Sequence, residues 1–134
     1  MSSRGKIKWL GEDVVLAIHE AQIAEHGGAT GLRDRRLLES ALARPKNAAD
    51  YAKADPPTLG ALYALGIIRN HPFVDGNKRV GAVLLDVFLE DHDHVLDVED
   101  AELLQVIRAV AASTMTDDDF ISWVRRHAHA AASS

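Results

Sequence analysis

The sequence predicts an all-α fold, a compact single domain built as a bundle of about six helices. Three observations carry that expectation. Apolar residues recur at helical spacing in each long segment of the 134-residue chain. Glycine, proline and capping residues punctuate those segments at intervals suited to short connections. No stretch shows the apolar–polar alternation of a half-buried strand, and no internal repeat or interdomain linker is evident.

The first helix is expected over Glu12–His26, opening near Gly11, with Glu12 and Asp13 in its first turn and Gly27-Gly28 at its end. Apolar residues on both of its sides (Val14, Ile18 and Ala21; Leu16 and Ile23) suggest that it is largely buried. Asp34 can cap a second helix running to about Ala43, which Arg44-Pro45 should end. Residues 45–57 then read as a long functional loop or short lid. Thr58 opens a helix to about Asn70, rich in Leu and Ile. Pro72 disfavours helical geometry at His71, so the chain turns there. A helix from Lys78 to Asp91 is apolar nearly all round and should form the centre of the bundle. His94 to Val98 reads as extended. Asp97 can cap a helix from Val98 to Ser113, and Thr116 with Asp119 suggests a capping box for a last helix to about His127. The core then spans about residues 8–127, with a frayed tail from Ala128 to Ser134.

Composition narrows the function. Apolar residues make up 47% and charged residues 26%, as in an ordinary folded domain. The absence of cysteine rules out disulfides, thiolate metal sites and cysteine nucleophiles. A net charge of −5 argues against direct nucleic-acid binding through the backbone. The first ten residues lack the apolar run of a secretory signal, and the longest apolar stretch, Val80 to Leu89, is broken by Asp86. A cytoplasmic protein without membrane association is expected.

The chemistry is concentrated in one run, His71-Pro72-Phe73-Val74-Asp75-Gly76-Asn77-Lys78-Arg79. His71 has a side chain whose ordinary pKa suits proton transfer near neutrality. Asp75 is a hard carboxylate suited to Mg²⁺ that also binds phosphate oxygens. Gly76 lets backbone approach an anion closely, and Asn77 can cap the next helix or bond a phosphate. Lys78 offers a point charge and Arg79 a planar fork. The helix that follows supplies unpaired N–H groups at its start.

This run resembles the Fic/Doc superfamily motif His-x-Phe-x-Asp-Gly-Asn-x-Arg, and in particular its Doc ("death on curing") branch. Gly27-Gly28, Gly31-Leu32-Arg33-Asp34 and Leu37 to Pro45 resemble that branch too, so the likeness extends over roughly Lys8 to Trp123. The resemblance implies transfer of a phosphate-containing group from ATP to a hydroxyl of a target protein. His71 would be the general base, Asp75 the Mg²⁺ ligand, Gly76 part of an anion hole, and Asn77, Lys78 and Arg79 nucleotide-binding residues. AMP-transferring Fic proteins usually have glycine where this chain has Lys78 and a second arginine where it has Ala82. Both departures are similar to Doc toxins, kinases that pass on the γ-phosphate to elongation factor Tu, arrest translation and are neutralised by an antitoxin whose disordered C-terminal segment folds into a groove of the toxin. AMP transfer and a silent antitoxin-binding module are the alternatives.

The remaining polar features read as structural. Asp86 is expected to be a buried carboxylate paired with an arginine. Asp91-His92-Asp93-His94 is expected to be a solvated helix end, and Arg33, Arg35 and Arg36 a solvated first turn or ion pairs. His127 and His129 are expected to do nothing specific, and Trp9 and Trp123 to pack.

Overall fold

The computed structural model describes residues 6–52 and 54–131. Among these the order is α1 (Glu12–His26), α2 (Arg35–Ala52), α3 (Pro56–Asn70), α4 (Asn77–Asp91), β1 (His94–Leu96), α5 (Asp100–Ala111), α6 (Asp117–His127) and β2 (Ala128–Ala130). The all-α expectation holds, with one small antiparallel pair in which His94 faces Ala130 and Leu96 faces Ala128.

The helix α3 is the axis of the molecule: every residue from Leu59 to Ile68 is buried. Asp55 starts it, its carboxylate accepting the Thr58 N–H at 3.0 Å, with Pro56 at the first helical position. The helix α4 lies alongside. On one side of this pair α5 and α6 bring Leu103, Ile107, Val110, Phe120 and Val124 against Leu65 and Leu85. On the other, α1 and α2 bring Val15, Leu38 and Ala41 against Tyr63, Ile67, Phe88 and Phe73. The Tyr63 hydroxyl accepts the Leu10 N–H at 2.9 Å, tying down the entry to α1.

Several expectations are corrected. Pro45 does not end α2; it lies buried inside it. An interior proline costs about 3 kcal/mol because the carbonyl four residues back loses its donor. That carbonyl belongs to Ala41, and there α3 presents Gly66: a Cβ on Gly66 would lie 2.8 Å from the Ala41 oxygen. This close approach brings the Ala41 backbone against α3, and with Leu42 and Pro45 also buried the packed face sustains the helix. One residue before the proline, Arg44 donates to Asp117 of α6 at 2.9 Å, and Arg69 of α3 donates to the same carboxylate at 2.7 Å. Burial pushes Asp117 up, but the hydrogen bonds from Arg44 and Arg69 outweigh it and hold the carboxyl below its usual range.

The expected loop over 45–57 therefore shrinks to residues 53–55, of which Lys53 lies outside the described residues. The helix α1 is not largely buried: only Val15 and His19 are, while Val14 and Leu16 face solvent from the rim of the bundle. The helix α5 starts at Asp100, not Val98: Glu99 is its N-cap, its carbonyl accepting the Leu103 N–H at 3.1 Å, while Asp97 N–H bonds the His127 carbonyl at 2.9 Å. Residues 128–130 are not frayed but form β2, and 132–134 lie outside the described residues. No helix among the described residues is long and apolar enough to cross a membrane.

Candidate active site

The motif begins where α3 ends. Proline at 72 drives His71 out of the right-handed helical region, and it adopts φ 54°, ψ 54°. Such geometry costs a non-glycine residue about 1–2 kcal/mol. Arg33 offsets this from outside the helix: its Nε donates to the His71 carbonyl at 2.8 Å and its Nη2 to the Asn70 carbonyl at 3.0 Å. The connection between α1 and α2 then follows the motif, with Arg33 N–H on the Pro72 carbonyl at 2.6 Å and Val74 N–H on the Gly31 carbonyl at 3.1 Å.

Phe73 is fully buried and anchors the loop. The imidazole of His19, itself 6% exposed, stacks on the Phe73 ring at 3.9 Å with 7° between planes. Its Nε2–H donates to the Asp75 carbonyl at 2.9 Å. Asn77 closes the loop from within: its Oδ1 accepts the Phe73 N–H at 3.0 Å, and its Nδ2 donates to the Phe73 carbonyl at 2.9 Å and faces His71 Nδ1 at 3.2 Å. The Phe73 N–H can only donate, so Asn77 presents a donor to His71. Neutral His71 in this contact carries its hydrogen on Nε2. To accept a proton there, the ring must exchange tautomer or turn from Asn77.

The expected capping role of Asn77 is corrected: Gly76 (φ 81°) is the N-cap of α4, without a side-chain cap bond, and Asn77 is the first helical residue. Its side chain, 3% exposed, is engaged with the loop. The N–H groups of Asn77, Lys78 and Arg79 precede the first intrahelical bond, from Val80 N–H to the Gly76 carbonyl at 2.9 Å.

The structure brings His71, Asp75, Gly76, Asn77, Lys78 and Arg79 to one cleft of about 380 Å³, which Leu104 and Arg108 of α5 and His26 and Gly27 also line. No ion pair engages Lys78, Arg79 or Arg108 among the described residues. The cleft is thus a cationic pocket with donor N–H groups at its floor, in a chain of net charge −5. Asp75 is exposed, its Oδ1 accepting the Gly76 N–H at 2.9 Å and its Oδ2 the Ala29 N–H at 3.2 Å. Glycine is required at 28, where φ is 121° and a Cβ would lie 2.7 Å from that Oδ2. No group of three or more His, Asp or Glu residues able to hold a metal occurs among the described residues. One outward carboxylate fits Mg²⁺ that arrives with phosphate oxygens and water, not a resident ion.

A second cavity of about 350 Å³ continues past Arg79 along α4 to Asp86 and Asp100. Asp86 is not a buried partner of an arginine. Its side chain reaches solvent, and partial burial with the nearby Asp100 and Glu90 carboxylates pushes it up to about 6. The Asp91–His94 run is structural, as expected: His92 Nδ1 faces the Phe88 carbonyl at 2.8 Å, its Nε2 accepts the Lys8 N–H at 2.9 Å, and His94 Nδ1 faces the His92 carbonyl at 2.7 Å.

Two residues around the motif, His19 and Arg108, are missing from the sequence expectations, and Arg33, expected in a solvated first turn or an ion pair, instead binds the carbonyls at the end of α3. His19 left a signal, since it lies four residues after Val15 and therefore on the same helical face.

The Fic/DOC family model matches residues 9–89, which span α1 to α4 and include the whole motif loop. No curated protein matches the chain. With the motif residues gathered on one cationic cleft at the start of α4, and with the family model covering more than half of its length, the chain belongs to the Fic/DOC family, whose members are generally protein-modifying transferases that use nucleotides.

Proposed function

We propose that this protein is a toxin of the Doc branch that transfers the γ-phosphate of ATP to a hydroxyl side chain of a protein target. The observation that carries the proposal is the pair Lys78 and Ala82 beside an otherwise complete His71–Arg79 loop. Lys78 adds bulk and charge at the mouth of the anion site, and Ala82, 8% exposed, has no cation to clamp further phosphates. Both favour phosphotransfer over AMP transfer.

In the proposed reaction the target hydroxyl oxygen bonds to the γ-phosphorus while the bond from that phosphorus to the β–γ bridging oxygen breaks. ADP leaves, and the hydroxyl proton passes to the lone pair of His71 once its Nε2 is free of hydrogen. The N–H groups at the start of α4, with Lys78 and Arg79, stabilise the charge on the transferred group. Mg²⁺ on Asp75 would supply further charge neutralisation. The expected target is elongation factor Tu and the expected outcome arrested translation. An antitoxin segment that folds onto the toxin would restrain it in the cell.

Incubation with Mg²⁺, elongation factor Tu and ATP labelled at either the α- or the γ-phosphate tests this reading. Label on the factor from γ-labelled ATP alone, lost in His71→Ala, is the expected result. Label from α-labelled ATP would instead establish AMP transfer. Growth arrest by His71→Ala equal to that of the parent would remove His71 as the base and favour a binding module.

A further inference from the structure

We propose that Arg108 binds nucleotide phosphate in the motif cleft, reaching it from α5 and not from the helix that carries Ala82. The inference rests on the nucleotide-transfer reading above and extends it to a residue outside the motif and outside the matched span of 9–89.

Arg108 and Leu104 lie one turn apart on α5 and line the same cleft as Lys78 and Arg79 of α4. Leu104 packs on the core and fixes that helix against α4; Arg108 is exposed. Arginines elsewhere show what the free state of Arg108 means. Of the nine arginines among the described residues, Arg33, Arg35, Arg36, Arg44, Arg69 and Arg125 bind carbonyls or carboxylates. Of the other three (Arg79, Arg108 and Arg126), two line this one cleft. Glu99 and Glu102 share a shallow depression with Arg108, yet neither pairs with it. A cation in the last turn of α5 suits the helix dipole, but that place alone does not require it to border the motif.

The chemistry is complementary. The N–H groups, Lys78 and Arg79 available to a phosphate all belong to the start of α4, whereas Arg108 comes to the same cleft from α5. A second phosphate of a polyphosphate chain needs donors from another side, and a guanidinium fork matches two of its oxygens. Arg108 therefore distinguishes a triphosphate from a monophosphate.

Calorimetric titration of the full chain with Mg-ATP, tripolyphosphate and AMP tests the assignment, using the parent, Arg108→Ala, Arg108→Lys and Arg108→Gln. Loss of a charge-assisted phosphate contact should weaken ATP and tripolyphosphate by about ten- to a hundred-fold in Arg108→Ala, with AMP little changed. Arg108→Lys should recover part of the loss and Arg108→Gln almost none, at unchanged melting temperature. Parent-like affinity of Arg108→Ala for all three compounds overturns the role of Arg108 alone. A parent protein that binds neither ATP nor tripolyphosphate overturns the nucleotide reading along with it.

Discussion

Replacing Asn77 by alanine should cost the protein about 3–5 kcal/mol of stability, and the figure follows from the Phe73 backbone. Phe73 is fully buried, and the bridge to Leu32 uses the polar groups of its neighbours, Pro72 and Val74, not its own. The Phe73 N–H and carbonyl are each satisfied by the Asn77 amide, at 3.0 and 2.9 Å. Alanine orphans both, and a buried unpartnered backbone group costs about 1–3 kcal/mol. For a chain of this length each kcal/mol moves the melting temperature by about 3–4 °C, so a fall of about 9–20 °C is expected. Asn77→Asp should fare no better, since it keeps the acceptor for Phe73 N–H but turns a carboxylate oxygen toward the Phe73 carbonyl. Urea unfolding followed by circular dichroism measures the loss, and calorimetry at a temperature where the variant stays folded measures ATP affinity. Affinity should change less than turnover, because the amide faces the loop and His71. A loss below about 1 kcal/mol would refute the claim that Asn77 is the loop's internal brace. A collapse of ATP affinity with stability intact would make it a phosphate ligand.

His19 joins two effects that substitution can separate: His19→Phe keeps a ring on Phe73 without the donor to Asp75, whereas His19→Gln keeps a donor without the stack. Turnover should fall at least tenfold in both with smaller changes in ATP affinity; parent-like turnover in either variant would make the missing interaction dispensable. Gly66→Ala should destabilise by about 1–3 kcal/mol, because its Cβ meets the Ala41 backbone oxygen and Cα, while activity per folded molecule is retained. Thermal melts with activity measured well below the transition check both halves. Asp86, raised from 3.8 to about 6, holds its proton more tightly folded than unfolded, so its contribution to stability is greatest at low pH and declines as pH rises from about 4 to 6. Asp86→Asn should therefore flatten the melting temperature over that interval and raise it at pH 7, by a modest amount because the side chain reaches solvent. A parent-like pH profile in Asp86→Asn would show that neither burial nor the Asp100 and Glu90 carboxylates raise Asp86 in the folded protein.

The helices that carry the site were legible because their signals are local. Gly27, and Thr116 with Asp119, are adjacent in sequence to the ends they set, or within three residues of them, whereas α3 starts at Pro56, two residues before the expected Thr58. Pro45 misled for the opposite reason: its cost is local, but the packing that sustains the helix comes from Gly66, 21 positions away. Of the paired strands, β1 lies within the stretch read as extended, but β2 was invisible because Ala-His-Ala carries no strand pattern until it meets His94–Leu96. In the candidate site, the motif residues could be read directly and all reach the cleft. Their supports could not: His19 and Arg33 act through partners 56 and 38 positions distant, Arg108 joins the cleft from α5, and no local spacing encodes such encounters.

The seam between residues 29–34 and the motif bears on how this chemistry could be moved or lost. Nine residues hold the reactive groups, yet their shape is imposed by a neighbouring strip of backbone and by one guanidinium gripping the end of α3. Grafting the nine onto a foreign helical hairpin would carry over the side chains and leave behind what aims them. Conversely, a protease nick or an inserted residue within that strip would silence the protein while its six helices went on packing as before.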